Sequence, residues 1–262
     1  MAGSATEVIG TRVAVGIDPP VARITLNHPP LNVIDIPMME ELSAALVEAE
    51  AQAQVSTILV RGAGKAFSAG VDVAAHTPDK VEEMLATFHG VIRTLVASRK
   101  VTIAAVHGPC LGGGAELAMV CDLVITANDG QWGFPEITLG CYPPVACAAL
   151  AALIGQKRAA DLILTGRSID GSEAAAIGLA TEAVPDHQLE SAVDKCVQRL
   201  LTLSPAALAI AKKAFYAWDA AHFDKGLARA EKLYLEELIK TADAQEGIRA
   251  FMEKRLPKWQ GK

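Results

Sequence analysis

The chain has 262 residues, 51% of them hydrophobic, with 24 basic and 30 acidic side chains and a formal net charge of −6. This apolar content is enough for a large core and excludes a disordered chain, and the acidic balance disfavours DNA or RNA as a partner. Five cysteines without a C-x-x-C pair are typical of a reduced protein. Because neither a secretory signal nor a bilayer-spanning apolar run is evident, we expect a cytoplasmic protein that does not enter the membrane.

Short runs rich in β-branched residues predict strands at residues 12–17, 22–26, 57–61, 101–106 and 123–126. Between them, apolar residues at helical spacing predict helices at residues 37–53 and 80–98, and a third helix that begins at about Gly114. Strands that alternate with helices favour an α/β fold with a largely parallel sheet.

The pattern becomes helical throughout from Leu189 onward. Four segments carry it, at residues 189–203, 205–218, 224–241 and 242–254. Just before them, Pro185 and Asp186 break the preceding segment. The sequence therefore predicts a core domain at residues 1–187 and a C-terminal helical region at residues 188–262.

Three consecutive glycines, Gly112 to Gly114, lie between an apolar strand and a helix. Glycine lacks a Cβ, so a ligand oxygen can approach the backbone N–H groups here, and the helix N-terminus adds partial positive charge that suits a developing oxyanion. Glu116 follows among alanine, leucine and methionine, where a carboxylate needs a partner to offset its desolvation. The alternative is a tight turn with an acid that only complements the helix dipole.

A second acid, Glu136, follows Pro135 and is flanked by apolar side chains. Pro135 biases Phe134 toward an extended backbone, which places Glu136 on a rigid turn. Two carboxyl groups in one apolar cleft can hold a water, one taking its proton while the other donates a proton to carbon. The alternative is an acid in a surface turn, and spacing alone does not show that Glu116 and Glu136 meet.

Other kinds of site find little support. The glycine-containing turn at residues 62–73 lacks the Gly-Lys-Ser/Thr of a phosphate loop and the third glycine of a dinucleotide-binding turn, which disfavours ATP and NAD. The six histidines show no metal-ligand spacing and no nearby G-x-S-x-G, so we expect no metal site. Asp72 is a candidate acid in the cleft, with turn stabilisation as the alternative.

Three segments together resemble the enoyl-CoA hydratase/isomerase (crotonase) family in order and spacing: residues 67–72 (FSAGVD), 111–118 (LGGGAELA) and 134–140 (FPEITLG). The resemblance extends over nearly the whole chain, with further matches at residues 31–33, 164–167, 176–180 and 251–255. It implies the crotonase fold, a spiral of ββα units with a C-terminal helical region for trimerisation. A homotrimer or a dimer of trimers is implied with it.

The resemblance also implies roles for individual residues. The backbone N–H groups of Val71 and Gly113 form an oxyanion hole for the thioester carbonyl, a contribution on the order of 3 kcal/mol per donor. Glu116 and Glu136 match the acid and base positions of the family's hydratases, whereas isomerases often keep only one, so the pair favours hydration. The implied contacts to substrate or CoA are Leu31, Val33, Ala66, Ala69, Asp72, Phe251 and Lys254. CoA belongs to the acyl-CoA thioester substrate, and no separate cofactor is implied.

Within the family, residues 78–90, 166–171 and 232–238 resemble members that hydrate cyclohexa-1,5-diene-1-carbonyl-CoA to 6-hydroxycyclohex-1-ene-1-carbonyl-CoA in anaerobic aromatic degradation. Ala146 and Cys147 stand where the usual pattern has glycines, so we expect an acyl pocket shaped for a ring. The alternatives are a short-chain enoyl-CoA hydratase, a double-bond isomerase or a thioester hydrolase on the same fold. An RNA-binding homologue or a silent scaffold is disfavoured by the acidic charge and the glutamate pair.

Overall fold

The computed structural model describes residues 6–9, 11–216 and 219–261, with residues 6–9 and 219–221 described by their backbone alone. Within these ranges the strands are β1 (Thr6–Ile9), β2 (Val13–Asp18), β3 (Val21–Leu26), β4 (Thr57–Gly62), β5 (Val101–Val106), β6 (Pro109–Leu111), β7 (Leu123–Ala127), β8 (Gln131–Gly133), β9 (Ser168–Ile169) and β10 (Glu182–Val184). The α-helices are α1 (Ile36–Ala51), α2 (Val81–Ala97), α3 (Gly113–Met119), α4 (Pro144–Ile154), α5 (Gln156–Thr165), α6 (Gly171–Ala176), α7 (Leu189–Leu201), α8 (Pro205–Tyr216), α9 (Asp219–Glu236) and α10 (Ala242–Met252).

The predicted strands are confirmed as β2, β3, β4, β5 and β7, and no end differs by more than one residue. The prediction was incomplete, because β1, β6, β8, β9 and β10 were not foreseen. Strands of two to four residues are too short to show an alternation of apolar and polar side chains. Helix α3 begins at Gly113 instead of Gly114, and residues 217 and 218 of a predicted helix lie outside the described residues.

A seven-stranded sheet runs in the order β1-β2-β3-β4-β5-β7-β10. Its first two pairings are antiparallel and the rest are parallel, as the alternation of strands and helices predicted. The interior strand β5 is buried over its whole length, because apolar side chains cover both faces of the sheet. Helix α7 contributes Leu189, Val193 and Val197 to the cluster on one face.

The larger cluster on the other face joins the N-terminal and C-terminal parts of the chain. It contains Ile24, Ile58 and Val60 from the sheet together with Leu227 and Tyr234 of α9. The C-terminal helices therefore pack into the same core as the sheet, and the division at residue 187 stays a prediction. No helix within the described ranges is both long and apolar enough to cross a membrane.

Candidate active site

A small three-stranded sheet brings the two glutamate segments together. Strands β6 and β8 are parallel neighbours, with Leu111 opposite Gly133 at their ends. Parallel strands end at the same edge of a sheet, so the segments that follow them begin side by side. Glu116 lies one turn into α3, after β6, and Glu136 lies in the short 3-10 turn Pro135–Leu139, after β8.

A third segment ends at the same edge. Ser68 forms an isolated parallel bridge with Cys110, the middle residue of β6, and Val71 follows three residues later. Asn32 holds this segment in place, because its fully buried amide donates to the carbonyl oxygens of Ala63, Ala66 and Phe67 at 2.9, 2.8 and 3.2 Å. The Ser68 hydroxyl returns a hydrogen bond to the carbonyl of Asn32 at 2.7 Å.

Glu116 and Glu136 line one cavity of about 80 Å³. Val71 and Gly113 line it as well, and so does Ala69. Its other walls are mostly apolar, which lowers the local dielectric and strengthens electrostatic interactions inside it. The structure thus brings together the two acids and the two backbone donors that the sequence singled out.

Glu116 is buried, with only 3% of its surface exposed. Its Oε1 accepts a hydrogen bond from the backbone N–H of Ala146, at the start of α4, at 2.9 Å. Burial raises the pKa of Glu116 to about 7, and the backbone hydrogen bonds of Ala146 and Val145 partly oppose this rise. This carboxyl group therefore exchanges its proton near neutral pH.

Glu136 is partly exposed as a residue, but its Oε2 is buried and has no hydrogen-bond partner among the described residues. Burial, and then the negative charge of Glu116, raises the pKa of Glu136 well above its usual range. Its Oε1 lies 2.6 Å from the position that a Cβ on Gly112 would occupy. A Cβ at this position would force the carboxyl group of Glu136 to shift, and the positive φ of 51° at Gly112 also favours glycine.

The backbone N–H groups of Val71 and Gly113 donate to no acceptor within the described part of the chain. The two residues are neighbours, since a Cβ on Gly113 would lie 3.4 Å from the Val71 nitrogen. Gly113 is the first residue of α3, where a helix N-terminus leaves N–H groups free. Two such donors can bind one carbonyl oxygen and stabilise negative charge on it.

The cavity combines a carboxyl pair that can hold one proton with two backbone N–H groups that can donate hydrogen bonds to a carbonyl oxygen. Burial raises the pKa of both carboxyl groups, and the negative charge of Glu116 raises that of Glu136 further, so the pair retains a proton at neutral pH. One carboxyl can then act as a general acid and the other as a general base.

The remaining candidates lie apart from the carboxyl pair. Leu31, Val33 and Ala66 do not line the cavity, although the carbonyl of Leu31 accepts a hydrogen bond from the N–H of Ala69 at 2.9 Å, which ties the two segments together. Phe251 lies in the last turn of α10 and Lys254 lies two residues beyond the end of that helix, and both are exposed. Helix α10 packs against the 3-10 turn that carries Glu136.

Asp72 occupies the turn-stabilising role that the sequence left open. Its carboxylate accepts from the backbone N–H of Ala74 at 3.1 Å and caps the 3-10 turn Val73–His76. Cys147, expected to help shape the acyl pocket, is exposed and does not line the cavity, whereas Tyr142 does. The hydroxyl of Tyr142 donates to the carbonyl of Ala230 in α9 at 2.7 Å.

Sequence reasoning missed three side chains that support or line the cavity. Asn32 belongs to a short matching segment with no role predicted for it, yet its three hydrogen bonds organise the loop that carries Val71. His89 of α2 and Tyr234 of α9 line the cavity and are almost completely buried. The helical pattern predicts that His89 and Tyr234 lie on helices. It does not predict which residues, distant in sequence, pack against them.

The chain has a largely parallel α/β core and a cavity in which a carboxyl pair holds a proton beside two backbone N–H groups. This arrangement is typical of enzymes that transfer protons next to a carbonyl group. Comparison with known proteins identifies the family. The family model described as enoyl-CoA hydratase/isomerase matches residues 16–262. The chain belongs to this family, also called the crotonase family, and the predictions of family, fold and an enzyme of the hydratase type are confirmed.

Individual relatives are similar along almost their full length. The chain is 35% identical over 245 residues to the cyclohexa-1,5-dienecarbonyl-CoA hydratase of Thauera aromatica, covering 94% of this chain and 95% of the relative. It is 40% identical over 239 residues to a probable enoyl-CoA hydratase of Rhizobium meliloti (strain 1021), covering 90% and 92%. The crystal structure of an enoyl-CoA hydratase from Mycobacterium avium subsp. paratuberculosis K-10 matches with a TM-score of 0.86 and 29% identity, covering 95% and 98%.

Proposed function

We propose that this protein adds water to a conjugated double bond of an acyl-CoA thioester, with Glu116 and Glu136 as the acid–base pair. The observation that carries the proposal is that both carboxyl groups line one cavity and have raised pKa values. Beside them lie the N–H groups of Val71 and Gly113, which have no acceptor among the described residues. A hydratase needs one group that takes a proton and one that gives a proton, and this pair retains one proton at neutral pH.

The reaction balances with these groups alone. One carboxylate takes a proton from water, and the water oxygen bonds to the β carbon of the thioester. The electron pair of the double bond moves toward the carbonyl oxygen, whose negative charge the N–H groups of Val71 and Gly113 stabilise. The other carboxyl group then donates its proton to carbon, so the reaction requires no resident cofactor or metal.

CoA itself is proposed to bind outside the cavity. The proposed contacts are with the backbone around Leu31, Val33, Ala66 and Ala69, next to the loop that carries Val71. Of these residues, Ala69 lines the cavity. Asp72 contributes by capping the turn that follows Val71. Phe251 at the end of α10 and Lys254 just beyond it are exposed, and they are proposed to reach the CoA of an adjacent subunit.

For the acyl group, we propose a cyclic dienoyl thioester such as cyclohexa-1,5-diene-1-carbonyl-CoA. The relative from Thauera aromatica supports this choice. So does the cavity wall, where the rings of Tyr142 and Tyr234 lie edge to face with centroids 5.2 Å apart. On this substrate the acid must protonate the γ carbon after water has added at the β carbon.

The C-terminal helices are proposed to form contacts between subunits, in a trimer or a dimer of trimers of a cytoplasmic protein. Exposed large apolar side chains support this assembly, since such surfaces mark protein interfaces. They include Ile210, Phe215, Phe251, Leu256 and Trp259. Light scattering on the purified protein tests the assembly, and a monomer at micromolar concentration contradicts it.

The experiment that tests the function compares turnover of cyclohexa-1,5-diene-1-carbonyl-CoA and crotonyl-CoA. We expect hydration of both, with the larger kcat/KM for the cyclic dienoyl substrate. A larger kcat/KM for crotonyl-CoA would show that the preferred substrate is a short-chain enoyl-CoA and not the cyclic dienoyl-CoA. Migration of the double bond without hydration would show that the protein is an isomerase. Glu173→Gln is the matched control, because this half-exposed glutamate pairs with Arg167 outside the cavity and its loss should leave turnover unchanged.

A further inference from the structure

Unpaired polar atoms are concentrated on the wall of the catalytic cavity. Within the described residues, the buried side-chain atoms that lack a hydrogen-bond partner include Nε2 of His89 and Oε2 of Glu136. Both belong to residues that line the cavity. Leaving a buried polar atom unpaired is unfavourable, so the contents of the cavity are expected to supply the missing partners. The proposed function employs Glu136 but gives His89 no role.

His89 is held by a partner on another helix. Its ring is fully buried, and Nδ1 lies 2.7 Å from Oε1 of Glu231 in α9. Arg93, one turn further along α2, reaches the same carboxylate oxygen at 2.8 Å. An ionised carboxylate only accepts hydrogen bonds, so Nδ1 of His89 carries the hydrogen of this contact. The ring orientation is thereby set before any ligand binds.

The chemistry of the free ring nitrogen follows from this contact. Burial lowers the pKa of His89, against the opposing effect of Glu231 and with some help from Arg93, so the ring is neutral near pH 7. A neutral imidazole with its hydrogen on Nδ1 has a lone pair on Nε2. Nε2 of His89 is therefore a hydrogen-bond acceptor, and its missing partner is a donor such as a hydroxyl group.

We propose that His89 is a specificity-determining residue whose Nε2 accepts a hydrogen bond from a hydroxyl group on the acyl part of the bound thioester. The ligand class that this cavity prefers is then a hydroxyacyl-CoA. The inference rests on the proposed function in one respect, that the cavity binds an acyl-CoA. It adds that the wall at α2 and α9 distinguishes a hydroxylated acyl group, such as a hydration product, from the unsaturated acyl group before hydration.

The test is a set of binding measurements that need no turnover. Cyclohexane-1-carbonyl-CoA and its 2-, 3- and 4-hydroxy derivatives are titrated into the intact protein by calorimetry, and chromatography checks the 2-hydroxy ligand for dehydration. We expect at least one hydroxy derivative to bind about three- to tenfold more tightly than the parent, the effect of one net hydrogen bond. Equal or weaker binding of all three derivatives overturns the proposal, and this result requires no variant to fold.

Two variants then identify the residue responsible. In His89→Leu the preference for the hydroxy ligand should disappear while the parent ligand still binds. Met84→Leu is the matched control, because Met84 is a buried residue of the same helix that lines the same cavity and offers no strong acceptor. The preference should persist in this control. A preference that survives in His89→Leu, or that is lost in Met84→Leu, overturns the assignment to His89.

Failure of this inference and failure of the proposed function give different results. A protein that hydrates dienoyl-CoA without preferring any hydroxy ligand refutes the role of His89 and keeps the hydratase. A protein that prefers a hydroxy ligand through His89 but hydrates nothing keeps this inference and refutes the hydratase.

Discussion

Replacing Glu116 with glutamine is expected to stabilise the protein above neutral pH while strongly lowering hydration activity. The pKa of Glu116 is raised from 4.5 to about 7 by burial. Between these two values the unfolded chain has released the proton and the folded protein still binds it, so wild-type stability falls as the pH rises through this range. One pKa unit corresponds to about 1.4 kcal/mol, so ionising Glu116 in the folded state costs about 3 kcal/mol at pH 8.

Glutamine removes this cost and keeps the local hydrogen bond. Its side-chain oxygen can still accept from the N–H of Ala146, as Oε1 of Glu116 does at 2.9 Å. The variant should therefore be more stable than the wild type at pH 8 by about 3 kcal/mol, with the difference shrinking as the pH falls to 4.5. Loss of the negative charge near Glu136 acts in the same direction, because that charge raises the pKa of Glu136.

The assay is urea unfolding of wild type and Glu116→Gln at a series of pH values between 4.5 and 8, at one protein concentration so that subunit association is constant. A stability difference that does not change with pH, or a variant that is less stable at pH 8, refutes the claim that Glu116 is buried with a raised pKa. Hydration activity measured on the same samples should fall by about 10²- to 10⁴-fold.

Three further substitutions test the supports of the site. Gly112→Ala places a Cβ 2.6 Å from Oε1 of Glu136, so the carboxyl group must shift. We expect kcat to fall at least about tenfold with little change in KM. An unchanged kcat would show that the reaction does not depend on this position of the carboxyl group. Asn32→Ala leaves three carbonyl groups without their buried donor and should lower the free energy of unfolding in urea by about 2–4 kcal/mol. A loss below about 1 kcal/mol would show that the loop does not depend on these hydrogen bonds. Tyr142→Phe removes the hydrogen bond to Ala230 and should lower stability by about 1 kcal/mol in thermal unfolding, and an unchanged melting temperature contradicts that contribution.

The long central elements were predictable because their sequences carry the signal locally. Residues 101–106 form a short run rich in β-branched residues, with Thr102 the one polar side chain in it, and β5 has these bounds. By contrast, β6 and β8 are three residues each and exist because they pair across the fold, as Cys110 does with Trp132. Contacts of this kind depend on tertiary structure, which local patterns do not encode.

The same distinction applies to the site. Glu116 and Glu136 were identifiable from the glycine turn, the proline turn and the apolar neighbours, and the parallel pairing of β6 and β8 supplies the reason why they meet. His89 is one of six histidines whose spacing in the sequence indicates no site. Its partner Glu231 is 142 positions away in sequence, so only the folded chain shows that its ring is held beside the cavity.

The most direct test of the central claim, that Glu116 and Glu136 act as one acid–base unit, is a comparison of two single variants with the double variant. Groups that act on one step together lose their effect together, so Glu116→Gln and Glu136→Gln should each lower hydration at least about 10²-fold, and the double variant should be no slower than the slower single variant. Losses that multiply in the double variant contradict the claim, as does full hydration activity in either single variant.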